Sequence, residues 1–182
     1  MTQLALRDEC WRRTVVSKAK KWPEVLHFRL FLCTFARSMV NAMETINEIQ
    51  DEIIEEFAGL DDWMDKYQLL IDMGSEQEPL PEQYKTEQNL IDGCQSRVWL
   101  QADYEDGVVS FRAESDALIV KGIVSLLIRV LSGHTPQEIL DADLYFINEI
   151  GLREHLSPTR SNGLLAMVKQ MRAYALAFST KR

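Results

Sequence analysis

The period of the apolar residues changes twice along this chain, and that change limits the possible folds more than any other feature. From Met43 onward, Ile46, Ile49, Ile53, Ile54 and Phe57 fall on one helical face, with Glu48, Asp51, Glu52 and Glu55 outside it. Between Arg97 and Ala113 the pattern turns β-branched, aromatic and alternating. It does so in two runs, Arg97 to Ala102 and Val108 to Ala113, that flank Asp106-Gly107. An Asp-Gly pair between such runs marks a hairpin turn. Helical spacing then returns. A single hairpin set among helices predicts an α+β fold, a small antiparallel sheet packed against several helices.

Caps and breakers punctuate the helical stretches. Gly59 is expected to end the first helix. A second should run from about Asp61 to Met73, with Trp63, Tyr67, Leu70 and Ile71 inward and Gly74 as its stop. Ser75 to Gln88 is polar, contains Pro79 and Pro81, and reads as a loop. Ser115 is expected to cap a mostly apolar helix to about Leu131, closed by Gly133, whose one polar stripe is Lys121, Ser125 and Arg129. Thr135, Pro136 and Glu138 spell a capping box. Asp143 is expected to open a helix closed by Gly151, and Ser157-Pro158 to begin a long one with Leu164, Val168, Met171, Ala175 and Phe178 inward.

Charge divides the chain in two. Overall, 20 Lys and Arg face 28 Asp and Glu, a net charge of -8. Such a surface repels phosphate, so nucleic acid and anionic membrane are not expected partners. The longest apolar stretch, Ala117 to Leu131, is broken by Lys121 and Arg129 and is too short to span a bilayer. Residues 1–42 carry eight basic residues and three acids, which leaves 12 basic and 25 acidic residues for the remainder. That break sets residues 1–42 apart as a basic N-terminal extension and residues 43–182 as the folded domain. The extension places Trp11, Trp22, Phe28, Phe31 and Phe35 among cations without helical period. A transit peptide, a disordered arm and a true start at Met39 or Met43 all stay open as readings of it. Cys10, Cys33 and Cys94 are odd in number and widely spaced, which argues against a disulfide framework and for a reducing compartment, the cytoplasm.

Most catalytic constellations are missing. There is no phosphate-cradling glycine loop and no GxSxG elbow. His27, His134 and His155 stand apart from one another and from the cysteines, as surface or capping histidines would, and no paired Cys or His offers a zinc site. Gly93-Cys94-Gln95-Ser96 remains, at the end of a polar loop just before the first strand. A lone cysteine is more often a small buried hydrophobe than a nucleophile. Its place on a loop held by a hairpin, with Gly93 able to turn the chain, favours the reactive reading. Arg97 is the nearest cation that favours a thiolate, and Asp92 opposes it.

The run Gly93-Cys94-Gln95-Ser96-Arg97-Val98-Trp99 resembles the cysteine-loop signature of the SufE family of sulfur acceptor proteins. Two further blocks follow in the family's order: Ser115 to Gly122 (SDALIVKG) and Leu156 to Gly163 (LSPTRSNG). The resemblance spans about Glu44 to Phe178. Arg97 replaces a frequent glutamine and Thr159 a frequent serine, while residues 1–42 have no counterpart. It implies a sulfur acceptor and activator rather than an enzyme in its own right. A SufS-type cysteine desulfurase would pass persulfide sulfur to Cys94, and the carrier would deliver it to the SufBCD scaffold for iron–sulfur cluster assembly. Pyridoxal phosphate then belongs to the partner, and the carrier itself needs no cofactor and no metal; a weak homodimer is a further expected association. Cys94 is expected to lie in a shielded loop that moves outward on docking. Gly93, Gln95, Ser96 and Arg97 are expected to support the loop or the docking. Asp116 is expected as a first-turn helix acid and Arg160 near the loop or the partner surface. An IscU-like metal scaffold, a thiol hydrolase and a simple interaction domain are the alternatives.

Overall fold

The computed structural model describes residues 44–180; the extension at 1–42, with Cys10, Cys33 and His27, lies outside the described residues. Helix α1, Ile46–Ala58, begins with a capping box in which the Thr45 hydroxyl accepts from the Glu48 amide while Glu48 accepts from the Thr45 amide. Each bond satisfies an amide that the first helical turn would otherwise leave unpaired. Helix α2, Trp63–Glu76, starts later than expected, with the Asp62 carboxylate accepting from the Met64 amide.

Gly74 does not stop α2. It lies inside the helix, buried against Gly122 of α3 (Leu118–Leu131). A Cβ at position 74 would come within 2.8 Å of the Gly122 nitrogen, and one at position 122 would run into the Leu70 carbonyl. The pair therefore permits backbone-to-backbone contact where the helices cross, a use of glycine that a turn-based reading overlooks. α3 is the core of the domain and packs against α1, α2, the sheet and the last helix. Its polar stripe is absorbed by partners: Lys121 pairs with Glu114 at 2.8 Å, Arg129 bridges Glu52 and Glu56, and Ser125 bonds back to the Gly122 carbonyl.

Strands β1 (Val98–Glu105) and β2 (Val108–Ser115) form one antiparallel hairpin, registered from Val98 opposite Ser115 to Glu105 opposite Val108. Asp106 and Gly107 both have positive φ, 52° and 88°, the requirement of a tight two-residue hairpin turn. Val98, Leu100, Ala102, Val109, Phe111 and Ala113 point into the core. Ser115 ends β2 rather than capping α3; its hydroxyl accepts from the Ala117 amide, and the helix starts at Leu118 without a side-chain cap. The 75–88 stretch is not all loop, since Glu82–Tyr84 and Glu87–Asn89 form single 3-10 turns.

Helix α4, Pro136–Asp141, carries the expected Thr135–Glu138 capping box. The helix expected to open at Asp143 is two single turns instead, α5 (Phe146–Glu149) and α6 (Leu152–His155), with Gly151 between them at φ 72°. Asp143 caps neither: its carbonyl accepts from Gln50. The last helix, α7, runs from Pro158 to Ser179 and buries Gly163, Leu164, Met167, Met171 and Ala175. His134 is neither a surface nor a capping residue. It is 6% exposed, its main chain pairs with Val109 at the edge of β2, and its Nε2 has no hydrogen-bond partner. Among the described residues no helix is long and apolar enough to cross a membrane.

Two outcomes follow from this packing. Gly122→Ala should destabilise the domain by about 3 kcal/mol or more through overpacking. Gly59→Ala, at an ordinary φ of -74° with nothing closer than 3.8 Å, should be stabilising by about 0.5 kcal/mol in the same urea titration. Burial pushes the His134 pKa below its ordinary 6.5, so stability should decline as pH falls below that value, where the unfolded chain takes up the proton more readily. Burial raises the Glu114 carboxyl, but its bond and charge contact with Lys121, helped by the Leu80 amide and Lys85, hold it below 4.5, so a second decline should follow at lower pH. Urea titrations at stepped pH check both stages, and His134→Leu should abolish only the first.

Candidate functional site

Cys94 sits on a loop whose ends are tied to the hairpin. The Ile91 amide donates to the Val98 carbonyl at 2.8 Å, and Leu90 bridges to Trp99, so residues 92–97 are closed off at their base. Buried Ile91 and Val98 anchor that base in the core. Gly93 turns the chain with φ 88°, a conformation L side chains rarely adopt.

A second tie comes from Asp116. Its carboxylate accepts from the Arg97 amide at 3.0 Å, and its own amide donates to the Arg97 carbonyl at 3.3 Å. Asp116 is therefore not a first-turn acid of α3. It precedes the helix and latches the downstream end of the cysteine loop to the end of β2.

α7 forms the wall behind the thiol. Cys94 is half-buried, and its Sγ donates to the Gly163 carbonyl at 3.6 Å, within reach of a weak sulfur hydrogen bond. A Cβ at Gly163 would approach that sulfur to 3.2 Å, while one at Gly93 would meet Ala166 at 3.8 Å. Gly163 and Ala166 were absent from the expected site. The available signal was a glycine within a long helical pattern, a costly choice that often marks close approach of another chain segment.

Burial pushes the Cys94 thiol above its ordinary value, and Arg97 does not offset it. Arg97 does not fill the expected role of activating cation: its guanidinium is exposed and its backbone, rather than its charge, serves the loop. Gln95 is exposed and Ser96 half-buried, and neither side chain makes a hydrogen bond among the described residues. Arg160 is also exposed and, among the described residues, unpaired, in the first turn of α7 ahead of Gly163. His155 stacks on Trp63 with ring centroids 3.7 Å apart and accompanies no thiol. Among the described residues no group of three or more His, Cys, Asp or Glu is placed to hold a metal ion.

Helices enclosing a hairpin, with a single cysteine loop latched to the hairpin and backed by the last helix, define a small α+β domain organised around one thiol. The Fe-S metabolism associated domain, SufE, matches residues 51–175, and the chain belongs to the SufE family. It is similar to an uncharacterized SufE-like protein of Rhizobium meliloti (strain 1021), 41% identical over 130 residues that cover 69% of this chain and 93% of that protein. An uncharacterized SufE-like protein of Synechocystis sp. is 39% identical over 141 residues, covering 78% of this chain and 89% of its own. The solution structure of a hypothetical protein from Thermus thermophilus superposes with a TM-score of 0.62 at 26% identity, over 73% of this chain and 97% of that one.

Asp116→Ala should cost about 1 kcal/mol of stability, the worth of one exposed hydrogen bond. It should also speed alkylation of Cys94 by iodoacetamide as the loop opens more often. A folded variant alkylated at the wild-type rate would show that the latch does not control access.

Proposed function

We propose that Cys94 accepts sulfur as a persulfide from a SufS-type cysteine desulfurase and passes it to a SufBCD-type scaffold for iron–sulfur cluster assembly. The observation that carries this reading is the half-shielded Cys94 thiol on a loop tied at both ends, in a chain of the SufE family. Thiol–persulfide exchange asks only for one thiolate with in-line access, and no acid–base triad or metal on the carrier. The Cys94 thiolate attacks the outer sulfur of the donor's persulfide. A bond forms from Cys94 Sγ to that sulfur, the donor's sulfur–sulfur bond breaks, and the donor cysteine leaves as a thiolate with the electron pair. Delivery repeats the exchange in the other direction, so the carrier ends as it began.

Under this reading pyridoxal phosphate stays on the desulfurase, where it cleaves the carbon–sulfur bond of free cysteine. The chain is then a carrier and activator, working in a reducing cytoplasm. Shielding serves the resting carrier, because an exposed thiol is open to oxidation between transfers. Arg160 and Arg97, exposed and without ion-pair partners among the described residues, suit a role in docking.

Sulfide release by a matched desulfurase in the presence of cysteine and reductant should rise several-fold when the wild-type chain is added. Cys94→Ser should give no rise. Equal stimulation by the serine variant would overturn the proposal.

A further inference from the structure

The wall behind Cys94 has a chemical preference of its own. The hydrogen bond that the sulfur makes there, among the described residues, is to a carbonyl oxygen, that of Gly163 at 3.6 Å. A carbonyl stabilises a thiol, which can donate to it, and repels a thiolate, whose charge faces the negative end of its dipole. Gly163 also lies beyond the first turn of α7, outside the short range in which a helix N-terminus favours an anion.

Space acts in the same direction. With a Cβ on Gly163 the sulfur would stand only 3.2 Å from it, and the Cys94 Cα and Cβ 3.9 Å. The cysteine thus rests against a bare helix backbone, and no second sulfur atom fits between Sγ and α7. Glycine in this position sacrifices helix stability, which alanine would restore. That sacrifice makes sense if the vacant side-chain position is the seat of the thiol.

We propose that Gly163 is a positioning residue that holds Cys94 inward as a protonated, weakly nucleophilic thiol, so that leaving this seat is what turns the cysteine into a nucleophile. The seat favours the empty carrier: a thiol fits, whereas a thiolate or an added sulfur must turn away from α7. The meaning of this gating rests on the sulfur-relay reading above, but the seat itself does not.

The test is alkylation of Cys94 by iodoacetamide across pH, in the wild-type chain and in Gly163→Ala, with melting temperature followed alongside. The alanine methyl should evict the sulfur, raise the rate at neutral pH about five-fold or more, and move the midpoint of the pH–rate profile down toward that of an unhindered thiol. The melting temperature should hold or rise. A folded Gly163→Ala with the wild-type rate and midpoint would overturn the proposal. If the variant does not fold, the wild-type midpoint is compared with that of a peptide spanning residues 90–98. A wild-type midpoint above the peptide's supports the seat, and one at or below it overturns the idea. Alkylation uses no sulfur donor, so a failure here is distinct from a failure of Cys94 to take up sulfur.

Discussion

The rest of the structure depends on the contact between two backbones at Gly74 and Gly122. Because neither residue carries a side chain, α2 and α3 cross closely enough for the Gly122 position to abut the Leu70 carbonyl. That crossing fixes α3 as the buried axis of the domain, with the hairpin on one side and α1 and α7 on others. The start of α3 follows directly on the end of β2, and Asp116 between them reaches the Arg97 amide. The cysteine loop is thus latched at the point where the hairpin passes into the buried helix.

Around that axis the domain contains its charges locally. Lys121 and Arg129, which interrupt an otherwise apolar helix, each find a carboxylate on a neighbouring element. The thiol is treated differently. Its burial favours the neutral form, no cation among the described residues offsets that, and its sulfur donates to a carbonyl. A permanently activated cysteine would suit an enzyme that acts alone. A suppressed one suits a carrier whose reactivity is wanted only in the presence of a partner.

Much of the fold was legible because it rests on local rules. The hairpin turn at Asp106-Gly107, the Thr135 capping box and the inward stripe of α7 each follow from residues close in sequence. The misreadings share a cause: tertiary contact redirected residues that have strong local habits. Gly74 looked like a helix stop and proved to be half of a helix crossing; Asp116 and Ser115 looked like helix-start residues and belong to the latch and the strand end. His134, polar and isolated in sequence, is buried by the sheet edge it completes. Cys94 itself was visible, but its seat was not, since Gly163 approaches it from 69 positions away.

The central claim is that Cys94 bears sulfur in transit, and the most direct measurement is mass spectrometry of the chain after incubation with a cysteine desulfurase and free cysteine. The account predicts one or more added sulfur atoms on the peptide that contains Cys94, removable by reductant and absent from Cys94→Ser. An unmodified Cys94 peptide under conditions in which the desulfurase itself is loaded with sulfur would contradict it.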